Sequence, residues 1–116
     1  MIDFEKERII QEYVPGKQMT VAHLIAHPDP EVFEKLGILN SENSAVGIAT
    51  ITPCEAAIIA IDVATKNADV EIGFLDRFSG SLAIVGTYSA VYSGLESMIK
   101  VLRNDMGFET VDLSVS

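Results

Sequence analysis

Two imidazoles, one thiol, an acid–lysine pair and one mixed turn are the groups in this sequence whose types could do chemistry. His23 and His27 stand four positions apart, a spacing that on a helix would aim both rings at one metal ion. Their segment, Gln18 to His27, reads instead as a strand with Met19, Val21, His23 and Ile25 on one face. On a strand the two positions lie about 13 Å apart along the chain. No carboxylate or cysteine at metal-site spacing joins them. Cys54 stands near a helix N-terminus, a place that can favour a thiolate, but nothing in the sequence supplies a base, and small buried cysteines are common. Asp62 and Lys66 are spaced i and i+4 with the acid first, the favoured order for a helix-surface pair. Asp76-Arg77-Phe78-Ser79-Gly80 mixes acid, base and hydroxyl between two apolar runs, which is the composition a hairpin turn uses. Neither a phosphate-cradling glycine pattern nor a Ser/His/Asp set is present. These residues predict no catalytic group, no metal site and no cofactor.

The elements that must carry them follow from periodicity. Asp3 to Val14 begins charged, ends in the β-prone Ile9, Ile10, Tyr13 and Val14, and is punctuated by Pro15-Gly16. This leading segment reads as an appendage whose strand pairs elsewhere. After the Gln18–His27 strand, Asp29-Pro30-Glu31 opens a short helix that Gly37 ends. Asn40 to Ser44 is a polar loop, and Ala45 to Ile51 is a short apolar strand expected at the centre of a sheet. Thr52-Pro53-Cys54-Glu55 reads as a capping box with Pro at the first helical position. The helix behind it runs to about Asn67, with Ala56, Ala57, Ala60 and Ala64 forming a smooth side for close packing. Val70 to Leu75 and Ser81 to Gly86 form a hairpin around the Asp76–Gly80 turn. Ala90 to Asn104 is a second long helix, with Val91, Leu95, Met98 and Leu102 at helical spacing, and Phe108 to Val115 alternates as a last strand. The order predicts a compact α+β sandwich, an antiparallel sheet covered by helices.

Composition narrows the function classes. A chain of 116 residues holds one domain. The longest apolar run, Ala56 to Ile61, is bounded by Glu55 and Asp62 and falls short of the roughly 18 residues a membrane span needs. The opening MIDFEKERIIQ lacks a signal peptide's apolar core, so the protein is expected to be soluble and to stay where it is made. One cysteine allows no internal disulfide and fits a reducing cytosol. The formal charge of −9, from 8 basic and 17 acidic residues, leaves no basic stripe for nucleic acid. Yet 48% of the residues are hydrophobic and the mean hydropathy is +0.29, high for so small a domain. Burial of apolar surface between subunits resolves this, so the residues point to an oligomer.

The run Ala60-Ile61-Asp62-Val63-Ala64-Thr65-Lys66, then Val70-Glu71-Ile72-Gly73-Phe74, Asp76-Arg77-Phe78-Ser79-Gly80, Ala83-Ile84-Val85-Gly86 and Ala90-Val91 resembles a bacterial microcompartment (BMC) domain. The opening from Glu7 to Gln18 is similar to a narrower group, the small circularly permuted shell proteins of ethanolamine- and propanediol-utilisation organelles. In that group a strand that ends the ordinary domain is moved to the front, here Gln18 to His27. The resemblance implies residues 1–16 as an extension and 17–116 as a permuted BMC-domain sandwich. It implies a flat homohexameric tile, packed with other shell proteins around enclosed enzymes in the bacterial cytoplasm, with no nucleic-acid or membrane partner. Ile9, Ile10, Gln11, Glu12, Tyr13 and Val14 would form one strand of an axial β-barrel. Lys66 matches the lysine at the tile edge, and Phe78, Ser79 and Gly80 match the turn around the central pore. Ordinary members carry small glycines at that turn, so the bulky Phe78 and the barrel argue against an open pore. A small-ligand-binding regulatory oligomer is the alternative, and it needs convergent polar groups in a pocket. An enzyme would need a paired base or nucleophile.

Overall fold

The computed structural model describes residues 16–35, 37 and 45–116. Five strands form one sheet: β1 (Gln18–Ile25), β2 (Ala45–Thr52), β3 (Glu71–Asp76), β4 (Ser81–Gly86) and β5 (Ser114–Val115), in the order β3-β4-β2-β1-β5. The helices are α1 (Pro30–Lys35), α2 (Ala56–Asn67) and α3 (Tyr88–Lys100), the last continuing as a π-type turn over Val101–Asp105. This is the predicted mixed α+β architecture, with β2 near the centre.

Alternation sorts the sheet into two faces. Leu82 and Ile84 of β4, with Ala45, Ala49 and Ile51 of β2, meet the helices in the main core. Their neighbours Val46, Ala83 and Val85 point the other way into a small cluster capped by Phe33 of α1. Val91, Leu95, Met98 and Leu102 are fully buried, so the helical spacing read from the sequence is the core stripe of α3 and its continuation. Each such side chain contributes about 1.5–3 kcal/mol by leaving water. Ala57, Ala60 and Ala64 of α2 are equally buried and let α2 pack closely. The short α1 starts as expected, with the Asp29 carboxylate accepting from the Glu31 N–H at 2.9 Å.

Four expectations are corrected. A bulge between Met19 and Val21 flips the alternation of β1, so Met19, Ala22 and Leu24 face the core while Val21, His23 and Ile25 do not share Met19's face. The sheet is not wholly antiparallel, because β5 runs parallel to β1; nearly the whole domain separates these strands, room enough for a parallel crossover. The strand expected over Phe108 to Val115 shrinks to Ser114–Val115 plus one isolated Gln18–Glu109 pairing. The capping box does not form: Thr52 stays in β2 opposite Gln18, Glu55 makes no capping bond, and the α2 start closes on main-chain bonds from Ala56 to Pro53 (2.9 Å) and Ala57 to Cys54 (3.0 Å). The cap that does form is on α3, where the Thr87 hydroxyl accepts from the Ala90 N–H at 3.2 Å.

Candidate functional site

The β3–β4 hairpin presents Asp76–Gly80 on a tip that its own sequence builds. The Asp76 carboxylate accepts from the Phe78 N–H at 2.9 Å, the Ser79 hydroxyl at 2.9 Å and the Ser79 N–H at 3.3 Å. These donors, the Phe78 N–H foremost, then the Ser79 hydroxyl and the Ser79 N–H, hold its carboxyl below the ordinary 3.8, against a small opposing cost of desolvation. Gly80 adopts φ +81°, donates its N–H to the Asp76 carbonyl and accepts from the Ile51 N–H at 2.9 Å. A Cβ there would stand 2.0 Å from the Ile51 carbonyl oxygen, so only glycine lets the tip close against the end of β2. Phe78 is thereby thrust outward at 83% exposure, with the Arg77 guanidinium 5.2 Å from its ring centre. The acid and hydroxyl of this segment are spent on the turn and on each other, and the base lies over the Phe78 ring, as the turn reading predicts.

Lys66 lies in the last turn of α2 and pairs with Asp62 at 2.9 Å, with 72% and 54% of the two side chains exposed. The alanine side of the helix is inside, whereas Ile58 and Ile59 remain exposed on its outer side. An exposed pair of this kind contributes only about 0–1 kcal/mol to folding. Cys54 is half-buried in the turn before α2, and its thiol donates to the Glu55 carboxylate at 3.6 Å. His23 bonds Ser114 Oγ through Nδ1 at 2.6 Å and Ser116 Oγ through Nε2 at 2.7 Å, while His27 is exposed. Sequence reasoning did not foresee these serine partners, which lie more than ninety positions away. Among the described residues no group of three His, Cys, Asp or Glu could hold a metal, and no helix is long and apolar enough to cross a membrane. Ile9–Val14, expected to supply an axial strand, lies outside the described residues.

A mixed sheet with one face under two helices, an exposed aromatic tip and an exposed lysine at a helix end leave geometry for contacts between molecules. Known proteins agree with that class. The BMC domain matches residues 45–115, and this chain belongs to the BMC-domain family. It is 53% identical over 108 residues to the bacterial microcompartment shell protein PduU of Salmonella typhimurium, covering 93% of this chain and 92% of that one. It is likewise 53% identical over 111 residues to the shell protein EutS of the same organism, covering 96% and 98%. Among solved structures, one chain of a CutR flat hexamer superposes with a TM-score of 0.83 at 45% identity, over 89% of this chain and 94% of that one.

Proposed function

We propose that this protein is a structural tile of a bacterial microcompartment shell, six copies forming a flat ring and rings packing edge to edge with other shell proteins around a set of metabolic enzymes in the cytoplasm. The observation that carries the reading is its identity to shell proteins over nearly their whole length, combined with the close superposition of the single chain on CutR chains from a flat hexamer and from a screw assembly. The spent polar groups of the hairpin tip support a non-enzymatic role. A ligand-binding regulatory oligomer has no comparable support, since these relatives are shell proteins.

In this reading residues 17–116 are a circularly permuted domain. The family match begins at Ala45 and leaves β1 ahead of it, yet β1 pairs inside the sheet between β2 and β5, which is what a strand moved to the front requires. Residues 1–16 are the extension, and Ile9 to Val14 contribute one strand of a six-stranded axial barrel, each edge satisfied by the next subunit. Phe78, Ser79 and Gly80 surround the axis, where the exposed Phe78 ring narrows any opening. Lys66 lies along the tile edge, its stem flat on the neighbour and its ammonium donating across a two-fold contact. Native mass spectrometry tests the ring: the expected particle is six times the 12.5 kDa chain, and a stable monomer or dimer at micromolar concentration contradicts it.

A further inference from the structure

Between α3 and the returning residues Asp112–Leu113 lies a cleft of about 250 Å³. Tyr92, Glu96 and Ile99 reach it from the helix at positions i, i+4 and i+7, which share one face, and Arg103 reaches it from the π-type turn. Ile99, 8% exposed, and Leu113, which leans on the core, give the cleft an apolar floor. Tyr92 is steadied as a wall by Tyr88 one turn earlier, the two rings stacked with centres 6.2 Å apart and planes 22° apart.

Both signs of charge line the same cleft, the carboxylates of Glu96 and Asp112 and the cations of Lys100 and Arg103. Glu96 and Lys100 repeat the spacing and order of Asp62 and Lys66, acid first and four positions apart. The Asp62–Lys66 pair closes at 2.9 Å, whereas among the described residues no ion pair joins any of the cleft's charged groups. Their charges face the cleft instead of each other. Among the described residues Arg103 spends only its Nε, which donates to the Thr110 hydroxyl at 2.8 Å. That bond anchors the guanidinium and leaves its two terminal nitrogens as a fork of the shape a carboxylate takes. Arg103 also stands inside the π-type turn over Val101–Asp105, a break in helical regularity that recurs at functional sites.

A ligand of a single charge is disfavoured here, because two side chains of its own sign face it across the cleft. A ligand that carries both signs meets a partner for each. The volume falls below the roughly 300–1,000 Å³ of sites for drug-sized ligands, which points to a small metabolite. We propose that the cleft binds a zwitterionic amino acid with an apolar side chain. Its carboxylate sits on the Arg103 fork beside Lys100, its ammonium between Glu96 and Asp112, and its side chain against Tyr92, Ile99 and Leu113. The site is built from one chain, so it adds a ligand to the tile reading without depending on it.

Ligand-observed NMR on the intact purified protein tests this with three probes of one shape. L-Leucine carries both charges, isocaproate only the carboxylate and isoamylamine only the ammonium. The expected result is saturable binding of leucine, with each single-charge analogue at least about tenfold weaker. Glu96→Gln and Arg103→Gln should each weaken leucine binding by about tenfold while the melting temperature holds. Glu71→Gln, on the exposed β3 edge, is the charge-matched control and should leave binding unchanged. Because Arg103 also holds Thr110, the exposed Glu96 variant and the probe series decide the matter if Arg103→Gln fails to fold. No saturable leucine binding, an analogue that binds as well as leucine, or an affinity that Glu96→Gln leaves unmoved would each overturn the proposal. An equal loss in Glu71→Gln would do the same, since it would trace the effect to net charge.

Discussion

The hairpin tip and a second segment, the clasp formed where Ser114–Ser116 pairs with β1 beside His23, are both short and lie at the margin of one sheet, and they are secured by opposite means. At the tip, one carboxylate gathers three donors from within five residues, and Gly80 is wedged against the Ile51 carbonyl with no room for a methyl group. The clasp draws its bonds from residues about ninety positions away, and its side chains are exposed. Local bonds and a steric wedge fix a shape as soon as the chain folds nearby. Distant bonds at an edge hold a position only while the edge is unoccupied by anything else. The tip therefore holds one shape by itself, whereas the clasp keeps its place only through its edge partner.

Gly80→Ala attacks the first half of that contrast and should have the largest effect. Its Cβ collides with the Ile51 oxygen and its backbone must hold a positive φ, so a loss of about 3 kcal/mol in a urea melt is expected. A loss near zero would mean that the tip is not wedged. Asp76→Asn keeps an acceptor but removes the charge. Because the folded carboxyl lies below its ordinary 3.8, the stability it supplies is complete above that value and is lost as pH falls through the lower folded value. The melting temperature of wild type should exceed that of Asp76→Asn at neutral pH, and the gap should close in acid; a gap constant with pH would remove the charge from the argument.

His23→Ala attacks the second half. A global loss of about 1 kcal/mol is expected, accompanied by a selective rise in exchange at the Ser116 amide. A large cooperative loss would place the clasp in the core after all. Lys66→Ala should be smallest, leaving stability within about 0.5 kcal/mol and the ring mass unchanged, because both Lys66 and its partner Asp62 are exposed to water. If the lysine serves the tile edge, the same change removes extended assemblies; if it is merely solvated beside Asp62, they persist.

Local periodicity made much of this molecule legible. The four-residue stripe of α3 and its continuation, the alanine side of α2 and the hairpin turn at Asp76–Gly80 all rest on neighbours three to five positions away, and each is present. The bulge in β1 was not legible, because nothing local marks where an extra residue enters a strand. The false capping box had the right residues, but pairing of Thr52 with Gln18 outcompeted a cap. The true cap, Thr87 after Gly86, had a weaker signature and only the position before the apolar stripe to mark it. The His23 clasp depends on a strand returning from the other end of the chain, which no window of sequence contains. The family motifs supplied the expectation of a shell, and the residues alone supplied only an oligomer without a catalytic set.

The central claim, that this chain is a tile, is tested most directly by electron microscopy of the purified protein. The account predicts extended sheets or tubes built on a repeat of six-membered rings. A field of discrete, non-assembling particles under the same conditions would contradict it.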